Sequence, residues 1–537
     1  MRLGWTFVTV GILLLSELVG CRSQAGRRIA NPTKTARNKS NSIDQVAFEQ
    51  QLPQESSIID ELEQLPLPTG DDSQVFPPEL LSVGPQTSLS LDEVVASVRS
   101  YFPLIHQAVA ARGIASGQAL SASGSFDHKL EASSVSQPLD FYENYRSSVG
   151  IKRDTMWGGQ TFAGYRIGRG LFEPWYLERQ TNEGGEFKAG FVAPLVRDRD
   201  IDANRSELWQ AQLERRRVEP EIMAQVIQFV RDGSIAYWNW VAAGENYRIA
   251  NGLLELAVER NKGLQEQVKA QEKAEIDLVD NQRIIVSREA KLIEAGRKLE
   301  QSAVKLSLFY RSDAGEPVLL ESDRLPPEFM QMAPQEEEPL VLDLEADDTG
   351  LALAQRPELA ELQVVRNQLS VALRQAKNET LPDVDGGLLV AQDVGEATSP
   401  KRDKSELKLE ALITVSVPLE RRKALGKVRS LRWNLAQVRA KNRFAADKIV
   451  ADVRLARAAL TAARERFTRA SESFELTVQM QEAEKELFDQ GQSTLFNLNI
   501  REQQTAEAAI DRVQSLFEFF AAKADYAAAM GFDGPTL

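Results

Sequence analysis

The sequence predicts an α+β fold that is mostly α-helical and that contains one unit twice, a strand hairpin followed by a long helical hairpin. In each half of the 537-residue chain, a segment that alternates apolar and polar residues ends in a Pro-Leu pair, Pro194-Leu195 and Pro418-Leu419. A long helical pattern follows each pair, then a turn and a shorter helical pattern. We interpret Pro194 and Pro418 as strand-to-helix junctions, and we expect an elongated helical assembly rather than a compact enzyme domain.

The first repeat is expected over residues 88–310. Its opening helical pattern covers 91–120 and is interrupted at Pro103. Residues 121–198 are richer in glycine, serine and aromatic residues. Short alternating stretches within them predict strands, because alternation gives a strand two unlike faces. The aromatic residues suit a membrane-interface girdle or, equally, a small aromatic core.

The long helical hairpin of the first repeat is expected at 200–272 and 281–310. Pro220 falls inside the longer helix. Because proline removes a backbone hydrogen bond, we expect a kink or an interruption there. The residues that follow, 311–349, are acidic and rich in proline, which predicts a linker or an irregular belt.

The second repeat is expected over 350–537, and it opens with a helix around Pro357. Every odd position of 407–417 is apolar, and the length of this segment matches the roughly 9–11 residues of a membrane-spanning strand. A half-buried strand of a soluble sheet is the alternative. Residues 419–490 contain no proline and would form a helix about 100 Å long. The Gly-Gln-Ser-Thr segment at 491–494 then ends the helical pattern with a turn.

The N-terminus resembles a bacterial lipoprotein signal. Residues 1–20 combine a basic Arg2 with a mostly apolar stretch that is too short for a comfortable membrane span. Leu-Val-Gly precedes Cys21, the one cysteine of the chain. We therefore expect a lipid on Cys21 and a tether at 21–87, whose polar, proline-rich composition predicts disorder. An ordinary secretory signal with a chance cysteine is the alternative.

The composition argues against several classes of function. A net charge of −14 does not suit nucleic acid as a partner. Two histidines and one cysteine argue against a metal site made from these ligands, and we expect no cofactor. The sequence has no Gly-x-Ser-x-Gly or His-Glu-x-x-His motif, so we expect no enzymatic activity. Beyond the signal, no apolar run is long enough for a membrane-spanning helix, so any further crossing would have to be made by strands.

Taken in order, these features resemble the TolC-like outer-membrane efflux protein family, in its lipoprotein type. The resemblance covers about residues 88–532. The residues that carry it are the helix opening at 90–95, the early proline at 103–105, the two Pro-Leu junctions, the second turn at 491–494 and the helix end at 527–531.

The resemblance implies a homotrimer in which each chain adds about four strands to a shared β-barrel through the outer membrane, while the helices form a periplasmic tunnel. It implies a passive conduit that works with a periplasmic adaptor and an inner-membrane pump, with the lipid on Cys21 in the outer membrane. The first strand region is longer than the second, and we interpret the excess as a longer extracellular loop near 136–182. A periplasmic coiled-coil lipoprotein, acting as scaffold or adaptor without channel activity, is the alternative function.

The two helical turns are the functional tips that this resemblance implies. Turns from three chains would meet at the end of the tunnel and dock the adaptor. Carboxylates there would select cations or hold the aperture shut through ion pairs; solvated charges at helix ends are the alternative interpretation. The candidate docking residues are Glu275, Asp277, Gly491 and Ser493, and the candidate aperture carboxylates are Asp277, Asp280 and Asp489.

Overall fold

The computed structural model describes residues 88–139, 141–172, 180–327, 329–332, 348–398 and 403–534. All of them lie in one compact unit of the chain, Gln54–Leu537. Cys21, the expected signal peptide and the expected tether lie outside the described residues, as do residues 333–347 of the expected linker.

Each repeat contains two short helices, strands, and two long helices. The first repeat has α1 (Leu91–Tyr101), α2 (Pro103–Ser123), β1 (Lys129–Gln137), β2 (Asn144–Asp154), β3 (Gln160–Gly170), β4 (Glu186–Pro194), α3 (Ala203–Lys269) and α4 (Glu275–Leu306). The second has α5 (Asp348–Gln355), α6 (Pro357–Asn378), β5 (Asp383–Asp393), β6 (Lys408–Ser416), α7 (Arg422–Asp489) and α8 (Leu495–Met530). The predicted fold class, α+β and mostly α-helical, is confirmed.

In both repeats, the second helix begins at a proline. Pro103 is the first residue of α2 and Pro357 is the first residue of α6, where the missing N–H of proline costs no helical hydrogen bond. Proline also disfavours helical backbone in the residue before it. Accordingly, Phe102 and Arg356 are extended, with ψ angles of 120° and 122°. The interruption predicted at Pro103 is therefore confirmed, and the helix expected around Pro357 is divided at that residue in the same way.

The strands form one six-stranded antiparallel sheet in the order β1-β2-β3-β4-β5-β6. The sheet has six strands, more than the four or so that the resemblance implies for the barrel, and the interpretation of 136–182 as a longer loop is wrong. Most of that segment forms β2 and β3, which pair along their whole length, from Asn144 opposite Gly170 to Asp154 opposite Gln160. Polar residues and glycine separate the apolar residues of these strands. This alternation is weak, so the sequence pattern did not predict the two strands.

Of the kink or interruption expected at Pro220, the interruption does not occur, because α3 is one continuous helix through this residue. Val218 and Ile222, on either side of the proline, are buried in the core, and side-chain contacts just before the proline also hold the helix to its neighbours. Arg112 of α2 makes two hydrogen bonds of 2.7 Å to Glu219, and Arg217 donates at 2.7 Å to Glu361 of α6. Tertiary contacts therefore offset the hydrogen bond that proline removes.

A buried aromatic core joins the two helical hairpins. Trp238 of α3 stacks on Phe520 of α8, with the ring centroids 3.8 Å apart and the planes 6° apart. The neighbouring Tyr237 and Trp240 are almost completely buried, and the Tyr237 hydroxyl donates to the Leu89 carbonyl oxygen at 3.0 Å. Because α3 belongs to the first repeat and α8 to the second, this core fixes the two hairpins to each other.

Across the described ranges, no helix combines the length and the apolar character that a membrane span requires.

Candidate channel wall and helical tips

One face of the sheet is apolar and exposed across all six strands. The strand registers place one residue of each strand in a single row, and all six residues of that row are apolar. All six are also exposed, and Leu130 and Leu409 at the two ends of the row expose 76% and 67% of their surface. The row consists of Leu130, Ile151, Ala163, Ala189, Val390 and Leu409.

The opposite face of the sheet is mostly polar. The next row along the strands, which points to the other side, contains charged residues, two glycines and one alanine. The apolar exceptions on this face include Val135, Phe162, Val192, Leu389 and Leu412. The polar row consists of Glu131, Gly150, Gly164, Lys188, Ala391 and Lys408. A sheet with one exposed apolar face and one polar face suits a wall between lipid and water.

The strand-to-helix junctions lie where the sequence predicted them. Pro194 is the last residue of β4, and Pro418 follows β6 by two residues. Pro418 lines a cleft of ≈ 700 Å³ that is also lined by Asp198 and Arg421, from both junctions. Burial raises the pKa of the Asp198 carboxyl, while the neighbouring Arg197 guanidinium opposes that rise.

The two helical tips have the same backbone geometry. The Gln271 N–H donates to the Val268 carbonyl oxygen at 3.0 Å, and the Gly491 N–H donates to the Phe488 carbonyl oxygen at 3.0 Å. The N–H of the next residue in each turn reaches back five residues, at 2.9 Å and 2.8 Å respectively. This paired pattern ends a helix through one left-handed residue. Gly491 fills that position with a φ of 73°, and Gln271 fills it with a φ of 59°.

The predicted docking residues lie at these tips. Glu275 and Asp277 belong to the first turn of α4, whereas Gly491 and Ser493 lie in the turn between α7 and α8. The Ser493 hydroxyl donates to the carboxylate of Glu484. The tips therefore present both charged helix-start residues and a turn that is fixed by a side-chain hydrogen bond.

An apolar residue that we did not single out from the sequence is exposed at each tip. Ile276 and Phe496 are the second residues of α4 and α8, and they expose 68% and 64% of their surface. The sequence carried a usable signal, since both residues follow their turns by the same number of positions. The two tips also touch, because the Lys273 ammonium lies 5.2 Å from the centroid of the Phe488 ring.

The predicted aperture carboxylates occupy the ends of two different helices. Asp277 and Asp280 lie in the first two turns of α4, and Asp489 is the last residue of α7. Asp280 pairs with Arg283 of its own helix at 3.0 Å. In the part of the chain that the structure describes, no cluster of three or more His, Cys, Asp and Glu side chains could hold a metal ion.

Above the tips, a buried ion cluster joins three helices. Glu502 of α8 is only 4% exposed, and it pairs with Arg260 of α3 and, at 2.7 Å, with Arg288 of α4. Arg260 also donates to the side-chain oxygen of Asn499 at 2.7 Å. Nothing in the helical periodicity had distinguished Glu502 from the many exposed carboxylates of these helices, so we missed this cluster.

The long helices form a row in the order α4-α3-α8-α7, since each packs on the next. The two end helices expose apolar stripes. At 3.6 residues per turn, each stripe lies on the side of its helix opposite buried residues, such as Leu306 on α4 and Val453 on α7. The stripe on α4 consists of Ile276, Val279, Val286, Ile293 and Val304, and the stripe on α7 of Trp433, Phe444, Leu455, Leu476, Met480 and Leu487.

Neither a protein-family model nor a curated protein sequence matches the chain. Several solved structures do match in fold. The MtrE outer-membrane channel of Neisseria gonorrhoeae, in its open state, is 15% identical, with a TM-score of 0.57 over 82% of this chain and 89% of that one. The CmeC outer-membrane channel of Campylobacter jejuni is 14% identical, with a TM-score of 0.56 over 87% and 93% of the two chains.

The outer-membrane protein VceC of Vibrio cholerae is 13% identical, with a TM-score of 0.55 over 82% of this chain and 96% of that one. At such identities the likeness concerns the fold. The chain therefore has the fold of bacterial outer-membrane channels, and its predicted resemblance to TolC-like outer-membrane efflux proteins is confirmed at the level of the fold.

Proposed function

We propose that the chain is the outer-membrane channel component of a tripartite efflux or export system and that it acts as a passive conduit. The observation that carries this proposal is the exposed apolar face of the sheet, which continues without interruption from Leu130 to Leu409. Exposed apolar surface of this extent is costly in water and stable against lipid. The shared fold with outer-membrane channels supports the same assignment.

We also propose that the functional unit is a ring of three chains. β1 and β6 are the edge strands of the sheet, and α4 and α7 are the end helices of the helical row. In the sheet and in the helical row alike, one edge element belongs to the first repeat and the other belongs to the second repeat. Contacts between unlike edges of identical subunits close into rings when the rotation allows it. The second repeat of one subunit would therefore pack on the first repeat of the next.

In this ring the strands cross the outer membrane and the helical tips point into the periplasm. The exposed Ile276 and Phe496, together with Glu275, Asp277 and Ser493, supply an apolar and polar surface for a periplasmic adaptor. An inner-membrane pump supplies the energy, and a lipid on Cys21 adds a second attachment to the outer membrane. The chain itself carries out no covalent chemistry.

The role of the lipid separates this proposal from a lipoprotein scaffold. We would replace residues 1–21 with a cleavable secretory signal that adds no lipid, and express both forms in a Gram-negative host. The unlipidated protein should stay in the outer-membrane fraction after urea extraction and migrate as a heat-modifiable oligomer, because the strands hold it there. A periplasmic scaffold anchored only by its lipid would appear in the soluble fraction, which would overturn the proposal.

A further inference from the structure

We infer that each chain contributes six strands to the channel wall, so that three chains close an eighteen-stranded barrel. This inference rests on the proposed function and goes beyond it. The resemblance to the efflux proteins implies about four strands per chain, and therefore a barrel of about twelve. The two additional strands are β2 and β3, which occupy the segment 144–170.

β2 and β3 are interior strands of the sheet. β2 pairs with β1 on one side and with β3 on the other, and β3 pairs with β2 and β4. Both strands are eleven residues long, which matches the roughly 9–11 residues that span a membrane. A hairpin folded over the mouth of the channel would break the pairing of β1 with β2 and of β3 with β4, so the observed pairing favours a position in the channel wall.

The side chains of β2 and β3 also agree with a position in the channel wall. Val149 and Ile151 each expose 44% of their surface on the apolar side of the sheet, in register with Ala132 and Leu130 of β1. On the other side, Lys152 lies opposite Lys129. Hairpin residues that extended into water above the membrane would not need to continue the apolar face of the neighbouring strands.

The directions of the two edge strands allow the sheets of neighbouring subunits to close into a barrel. All neighbouring strands are antiparallel and the sheet has six of them, so β1 and β6 run in opposite directions. β6 of one subunit can therefore form an antiparallel ladder with β1 of the next, and no strand edge remains exposed in the membrane. The occupant of each open edge is thus a second copy of this chain.

An eighteen-stranded barrel would be wider than a twelve-stranded one. With strands about 4.8 Å apart and tilted by about 40°, the backbone diameter is about 36 Å for eighteen strands and about 24 Å for twelve. The cross-section is then about 2.3 times larger, because diameter grows in proportion to strand number. We expect the outer-membrane end of this conduit to admit correspondingly bulkier solutes.

Electron cryomicroscopy of the full-length protein in lipid nanodiscs tests the inference directly. We expect a cross-section of eighteen strands with β2 and β3 in the wall. A closed barrel of twelve strands, with any two strands of each chain outside it, would overturn the inference and leave the proposed channel intact. Particles without a barrel would overturn both.

A variant supplies a functional readout. Removing residues 138–170 deletes β2 and β3 and joins the outer end of β1 to the outer end of β4, so strand direction is preserved. We expect the largest poly(ethylene glycol) that enters the barrel to fall by about 1.5-fold in radius relative to the intact chain. An unchanged size limit would contradict the inference. If the variant does not assemble, the number of strands that electron cryomicroscopy shows in the barrel of the intact protein still tests the inference.

Discussion

One backbone position determines how each helical hairpin reverses direction. Gly491 and Gln271 occupy the left-handed position of two turns that share the same hydrogen bonds. Glycine adopts this conformation without steric cost, whereas a residue with a Cβ is strained there. The second tip is therefore relaxed and the first stores backbone strain.

Exchanging glycine between the two turns should change their stabilities in opposite directions. Gly491→Ala should weaken the second turn by about 1 kcal/mol and Gln271→Gly should strengthen the first by a similar amount, since left-handed backbone costs an L-residue about 1–2 kcal/mol. Amide hydrogen exchange at the two turns measures both changes.

A third glycine provides the control. Gly426 lies inside α7, and a Cβ there, as at Gly491, would meet no atom within 4 Å. Gly426→Ala should therefore slow exchange in its helix, because alanine is the better helix former. If both alanine variants changed exchange in the same direction, the backbone explanation for Gly491 would be wrong.

At the level of elements, the sequence predicted the helices well where nothing competed with periodicity. Residues 419–490 lack proline, and α7 is unbroken from Arg422 to Asp489. At Pro220, local propensity predicted a break in α3. The ion pairs of Glu219 and Arg217 to neighbouring helices stabilise the continuous helix instead. Such contacts between elements distant in sequence cannot be inferred from periodicity.

The extra strands were missed for a different physical reason. β2 and β3 are rich in serine, glycine and arginine, so the alternation of each strand alone is weak. Only the pairing shows that Ile151 and Ala163 continue the apolar face of the sheet. The second tip was predicted because its glycine is visible in the sequence. The first turn was also expected, near 274–277, but its geometry was not, because Gln271 adopts a conformation that its residue type does not indicate.

The buried ion cluster makes the packing of α3, α4 and α8 sensitive to one side chain. Glu502→Gln keeps the shape of the residue but leaves Arg260 and Arg288 close together without a counter-charge. Breaking a buried pair in this way typically costs about 3–5 kcal/mol. We expect a clear fall in the midpoint of thermal denaturation.

Glu294→Gln is the matched control for this variant. Glu294 pairs with Arg297 at 2.7 Å on the exposed surface of α4, where water screens the interaction. This variant should leave the denaturation midpoint unchanged. Equal midpoints for the Glu502→Gln variant and the unaltered protein would show that the cluster does not hold the three helices together.

At the level of the whole molecule, the proposed ring would form through the edges of the two layers, and the proposed membrane contact through the apolar face of the sheet. Ile293 exposes 74% of its surface in the stripe on α4, which we assign to contact with α7 of the next subunit. Ile293→Lys should prevent or weaken the ring without unfolding the chain, because a charge in a helical interface is costly when it is unpaired.

Size-exclusion chromatography with light scattering measures this effect. Ser287→Lys places the same charge on an exposed position of α4 about 120° around the helix from Ile293, and it should leave the oligomer intact. Retention of the full oligomer by the Ile293→Lys variant would mean that the subunits meet elsewhere.

Conductance of the purified full-length protein in planar lipid bilayers tests the central claim most directly. A ring of three chains with a polar lumen should insert and produce discrete, uniform conductance steps that the detergent alone does not produce. A protein that associates with the bilayer but yields no conductance steps, even at high salt that screens ion pairs at the helical tips, would contradict the account of this chain as a channel.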